Sequence, residues 1–167
     1  MLEGQRLQPQ RYTVVPRTIS FIFLDDHVLL IRLSEDRGAW SGKLNGVGGH
    51  MERGEDPHAS ALREIREETG LSLERLQFCG HILIDTGKKP GIGLFVFGSQ
   101  ISHAGSLRST SEGTPCWIAV EDLENESLVE DLTWLVPKVR STINGAPPFI
   151  GFYQFDDDGV LIVNWAP

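Results

Sequence analysis

The chain has 167 residues, 40% hydrophobic and 23% charged, and a formal net charge of −8. That length and apolar content suffice for one sizeable core, so a single domain over residues 1–167 is expected. The acidic balance argues against a nucleic acid polymer as partner, and with no membrane-length apolar run and no basic-then-apolar leader the expected location is the cytoplasm.

In chain order, strands are predicted first at residues 18–24 and 28–33, runs rich in β-branched and aromatic side chains. A loop over 34–44 follows. A helix is predicted from Pro57, which suits the first helical position; Asp56 precedes it as a candidate N-cap, and Gly70 lies just past its end. Further strands are expected at 76–84, 92–97 and 116–120, joined by loops at 86–91 and 102–114. Leu128, Leu132, Leu135, Val136 and Val139 mark one face of a second helix over 128–140, which Pro137 is expected to kink or split. Strands at 149–155 and 160–165 flank Asp156-Asp157-Asp158-Gly159, a hairpin turn that lacks the spacing of a calcium loop. This hairpin either covers the core or pairs with a second copy in a homodimer. A β-rich order with two separate helices suits an α+β sandwich.

The segment from Gly49 to Leu71 carries the chemistry. Glu64, Glu67 and Glu68 stand three and four residues apart and so share one helix face, where like charges cost about 0.2–0.5 kcal/mol per pair. One reading is a solvated face with Arg63 pairing Glu67. The other is a bound divalent cation, Mg2+ or Mn2+, because the segment offers hard oxygen ligands. Cys79 and Cys116 lack metal spacing and are expected as buried reduced thiols; His50 and His58 lack zinc-like spacing and are expected on the surface or in loops.

Gly49, five residues, Glu55, seven residues, Arg63-Glu64-Ile65, one residue, Glu67-Glu68, one residue, Gly70-Leu71: at every fixed position this run resembles the box that defines the Nudix hydrolases. The resemblance implies an α/β/α sandwich with a mixed sheet, the box helix and a second helix in the C-terminal half. It also implies Mg2+-dependent hydrolysis of a nucleoside diphosphate linked to another group, with Glu64, Glu67 and Glu68 holding the metal. By the same resemblance the Gly48 carbonyl and Glu112 complete the metal site. Glu64 is the first choice to take the proton of the attacking water, with Glu68 or Glu112 as rivals, and Glu55 pairs with Arg63 to orient loop against helix.

Residues 45–49 before the box, Glu112 with Pro115-Cys116-Trp117, and the ending at 151–155 are similar to the MutT-type branch, whose members hydrolyse oxidised purine triphosphates such as 8-oxo-dGTP to a monophosphate and pyrophosphate. The small nucleotide implied as partner would then meet Thr18 and Asn45 with its nucleoside, and Glu130-Asp131 with the Watson–Crick edge of its base. Adjacent acids disfavour double ionisation, so one can hold a proton and donate as well as accept. Helix capping by either acid is the competing reading. Leu128 stands where those relatives carry a stacking Trp, and Glu35 where they carry Lys; Trp40, Trp117 and Trp134 are the rings available instead. ADP-ribose, dinucleoside polyphosphates and dihydroneopterin triphosphate are the alternative substrates, and a nucleotide-binding or regulatory domain without turnover, or a scaffold of the same fold for a protein partner, are the alternatives from another class.

Overall fold

The computed structural model describes residues 11–166, so both ends of the domain expected over 1–167 lie outside the described residues. Eight strands form one mixed sheet: β1 (Val14–Leu24), β2 (His27–Leu33), β3 (Leu44–Asn45), β4 (Gln77–Ile84), β5 (Gly91–Ile101), β6 (Gly113–Ala119), β7 (Phe149–Phe155) and β8 (Leu161–Trp165). Two α-helices accompany them, α1 (Pro57–Thr69) and α2 (Leu132–Ile143). The spatial order is β3-β2-β1-β5-β4-β7-β8, with β6 on the other edge of β2. No helix among the described residues is long and apolar enough to cross a membrane.

The central strands are apolar on both faces because a helix covers each face. Ile19, Phe21 and Phe23 of β1 join Leu30, Leu94 and Val96 against Leu132, Leu135, Val136 and Val139 of α2. From the alternate positions, Ile22, Leu29, Ile31 and Phe97 pack against Ala61 and Ile65 of α1. This is the expected α+β sandwich, with its layers in α/β/α order.

One irregularity places the site. β1 runs parallel to β5 along its whole length but pairs with β2 only at Ile22–Leu24. Beyond that point the hairpin splays, and residues 44–50 enter the gap. β3 pairs with Ile31 and Arg32 of β2, while the Ser20 N–H donates to the Val47 carbonyl (2.7 Å) and the Thr18 N–H to the Gly49 carbonyl (2.9 Å). Glycine permits this wedge: a Cβ on Gly48 would stand 2.1 Å from the Thr18 carbonyl oxygen.

α1 has the expected ends. Asp56 Oδ1 accepts from the Ala59 N–H at 2.9 Å, and Gly70 adopts φ 82° while its N–H donates to the Arg66 carbonyl. α2 differs from expectation: it starts at Leu132 rather than 128, runs to Ile143, and continues through Pro137 without splitting. Leu128 is spent on a parallel bridge to Leu44, so the first apolar residue of the helical pattern belongs to extended chain. Burial of Leu132, Leu135, Val136 and Val139 holds the helix across the proline. β6 starts earlier than predicted, and a 3-10 segment at Val120–Asn125 follows it where no element was predicted. In the β7–β8 turn, Asp156 Oδ1 accepts from the N–H groups of Asp158 and Val160, so these acids serve as turn residues. The hairpin turns Tyr153, Val163 and Trp165 toward the core and leaves Ile150, Phe152 and Ile162 exposed.

Candidate active site

Arg63 organises the acids of α1. Its guanidinium grips Glu55 through two parallel bonds (Nε 2.7 Å, Nη2 2.9 Å), donates to Glu64 (2.9 Å) and Glu67 (3.1 Å), and reaches the His50 carbonyl at 3.1 Å. The side chains of Arg63, Glu55 and Glu64 are 17%, 19% and 12% exposed, so this is a mostly buried network of bidentate type. The bonds from Arg63 and then from the Glu52 N–H hold the Glu55 carboxyl down to about 2. Loop and helix are therefore tied at one point, as the box pattern implied.

The remaining acids gather around that point. Glu68 is buried, and its Oε2 accepts from the Gly48 N–H at 3.0 Å. Burial, followed by the charges of Glu112 and Glu64, pushes Glu68 well above the usual carboxylate range. Glu64 is raised as well, by burial and then by Glu67 and Glu112 against the opposing pull of Arg63. A Cβ on Gly49 would lie 2.6 Å from Glu64 Oε1, so backbone and carboxylate approach closely only because the residue is glycine. Glu112, from the loop before β6, pairs with Arg37 at 2.7 Å while its charge reaches Glu68 and Glu64. Crowded carboxylates that raise one another's proton affinity are a donor set suited to a hard divalent cation. Among the described residues, no three of them stand at ligating separation. Protein donors hold each one instead: Arg63 for Glu64 and Glu67, Gly48 for Glu68, Arg37 for Glu112.

On the other side of the residue 45–49 segment lies a cavity of about 240 Å3. Thr18, Asn45, Glu130 and Asp131 all line it, although they come from three separate parts of the chain. Burial raises Glu130, but its bond from Lys43, its own backbone and the Trp40 side chain outweigh that and leave it lowered. Asp131 behaves oppositely: burial, then the Glu130 charge, pushes it up to about 6. Asp131 occupies the N-cap position of α2 yet makes no capping bond, which sets aside the capping reading for it. Tyr153, 2% exposed, brings its hydroxyl beside this carboxyl; burial and then Asp131 raise the phenol, and its oxygen has no hydrogen-bond partner of ordinary geometry.

The NUDIX domain profile matches residues 14–138. The chain belongs to the Nudix hydrolase family. Over 127 residues it is 28% identical to the mouse (Mus musculus) oxidized purine nucleoside triphosphate hydrolase, spanning 75% of this chain and 78% of that one. Among solved structures it is similar to a mutator MutT protein from Bacillus halodurans (TM-score 0.74, 22% identity, 92% of this chain and 99% of that one). It is also similar to the NUDIX domain of Shewanella oneidensis NrtR complexed with ADP ribose (TM-score 0.67, 16% identity, 86% and 99%). At such identities the structural likeness speaks for the fold.

In this Nudix chain the sequence-derived residues fall into two groups that share one wall. Gly48 and Gly49 line the cavity with one side of their backbone and meet Glu68 and Glu64 with the other. Leu128 packs beside the core. Of the three candidate rings, Trp40 lines the cavity, Trp117 packs toward the α1 side and Trp134 is 48% exposed. Glu35 accepts from Ser41 in the loop that carries Trp40. Cys79 is buried, its thiol pushed up to about 12 by burial, and Cys116 is partly buried; both are free. Sequence reasoning missed Arg17 and Tyr153 as cavity residues. For Arg17 a signal exists: it is a lone cation in the otherwise uncharged run of residues 14–24.

Proposed function

We propose that this Nudix hydrolase cleaves a purine nucleoside triphosphate, with oxidised purines preferred, to the nucleoside monophosphate and pyrophosphate. The observation that carries the reading is the shared wall: a cavity sized for a flat ring system is divided from the acid cluster by the Gly48–Gly49 backbone alone. The mouse relative's name, an oxidized purine nucleoside triphosphate hydrolase, supports the same substrate class. The base would enter between Trp40 and Tyr153, with Asp131 at its polar edge. An acid pushed up to about 6 can present either a donor or an acceptor there. Trp40 supplies the ring face that Leu128 lacks.

Glu64, Glu67, Glu68, Glu112 and the Gly48 carbonyl would hold Mg2+ or Mn2+. When bound, such an ion neutralises charge developing on the phosphate oxygens. Glu64, raised by burial and placed against Gly49, accepts the proton of the attacking water, with Glu68 and Glu112 as the rival acceptors; such a group contributes roughly 10²–10⁴-fold. Arg63 keeps Glu64 oriented and Glu55 anchors Arg63.

The test is turnover of 8-oxo-dGTP, dGTP, ADP-ribose and diadenosine tetraphosphate with Mg2+ or Mn2+. The highest kcat/KM is expected on 8-oxo-dGTP; a preference for ADP-ribose or the dinucleotide would move the chain to another substrate class. One observation favours a second reading, a nucleotide-binding domain without turnover: protein donors already engage all four acids. Binding without product across the panel would support it.

A further inference from the structure

Arg17 is placed and paired unlike the other cations of the site. It projects from β1 into the cavity on the same face as Ile19, next to the segment that separates cavity from acids. Its Nη2 donates to the His50 ring nitrogen Nε2 at 2.7 Å, while its buried Nε has no hydrogen-bond partner. Lys43, Arg37 and Arg63 flank the same region, and each is paired with a carboxylate. Among the described residues Arg17 meets none.

A partly buried guanidinium without a counter-charge is costly to keep, and burial lowers its proton affinity with nothing to offset it. The neighbouring His50 shares a hydrogen bond with it but brings no negative charge, because an imidazole is either neutral or cationic. Fold stability gives no reason for this arrangement. A bound anion does, because guanidinium is a planar fork that matches phosphate oxygens. Charge along the cavity fixes which end of a nucleotide this is: Glu130 and Asp131 stand at the ring-binding end, and Arg17 stands beside Gly49, toward the acids.

We infer that Arg17 is a substrate-binding residue that receives the phosphate attached to the nucleoside, orienting the nucleotide with its base toward Asp131 and its phosphates toward α1. The inference rests on the proposed function, since it presumes a nucleoside phosphate in the cavity. It adds a specificity element: a free nucleoside fills the ring end yet leaves Arg17 unpaired.

The experiment compares calorimetric binding of 8-oxo-dGMP, dGMP and AMP with that of the matching nucleosides, in EDTA, for wild type, Arg17→Met and Arg17→Lys. For wild type, at least one monophosphate should bind ten-fold or more tighter than its nucleoside. In Arg17→Met that ratio should fall below about threefold while nucleoside affinity and Tm hold or Tm rises; Arg17→Lys should keep part of the ratio. A wild-type ratio near one, a ratio that survives in Arg17→Met, or an equal loss for nucleoside and monophosphate would overturn the inference, as would a Tm drop of several degrees in Arg17→Met. If wild type bound none of the monophosphates and turned over no nucleotide, the proposed function would fall and this inference with it; turnover of a triphosphate without any monophosphate binding would overturn the inference alone.

Discussion

The acid cluster and the cavity lie on opposite sides of one short segment and differ in how completely the protein satisfies them. Around Arg63 every charge has a partner: Glu55, Glu64 and Glu67 share one guanidinium. Around the cavity the pattern is reversed. Of the five buried side-chain polar atoms without a partner of ordinary geometry among the described residues, three belong to residues that line it, Arg17 Nε, Thr18 Oγ1 and the Tyr153 hydroxyl, and Asp131 caps nothing. Buried polar groups are normally paired, so several exceptions in one place mark where a partner from outside fits. In the cluster the protein's own donors engage each acid, whereas the cavity leaves polar groups open to a partner from outside.

That contrast can be broken most directly at its hub. Arg63→Met leaves three carboxylates without their shared cation, two of them largely buried, and should destabilise the fold by about 3 kcal/mol or more. Urea unfolding measures this, and a change below about 1 kcal/mol would erase the distinction from Arg17→Met. Next in size is Glu67→Gln. The Glu67 side chain is 54% exposed, so its loss should leave Tm nearly unchanged while kcat at saturating Mg2+ falls on the order of a hundredfold. Wild-type turnover in this variant would remove Glu67 from the proposed metal-holding set.

The smallest effect is a pH slope from the cavity side. Asp131 is raised from its ordinary 3.8 to about 6, so the folded chain holds this proton more tightly than the unfolded chain does. Its contribution to stability is complete below about pH 4 and lost as pH rises through 6, up to about 3 kcal/mol in all. Asp131→Asn lacks that loss. Its stability relative to wild type should therefore improve between pH 4.5 and 7.5, by about 2 kcal/mol in urea unfolding. A gap independent of pH would mean that the carboxyl is solvated.

What was legible in the sequence was local. Asp56, Pro57 and Gly70 bound α1 because caps act on their own neighbours, and the box spacing foretold the pairing of Glu55 with Arg63 across the intervening loop. What escaped depends on distant chain. Leu128 fits a helical period as well as any residue of α2, but Leu44 claims it for an extended bridge, so the pattern began one turn too early. Pro137 signals a break that burial of its neighbours overrides. Arg17 acquires meaning only when residue 50 is brought against it, and Tyr153 only when the last hairpin lays it over Asp131.

The wedge of residues 44–50 sets the terms on which such a chain can acquire new preferences. Because the same few glycines border the cavity on one side and the acid cluster on the other, change there would disturb both together. Three further parts of the wall hang from other supports: the start of α2, the closing hairpin, and the loop bearing Trp40. Substitutions that reshape the cavity are free to accumulate on those three supports, leaving the acid cluster undisturbed.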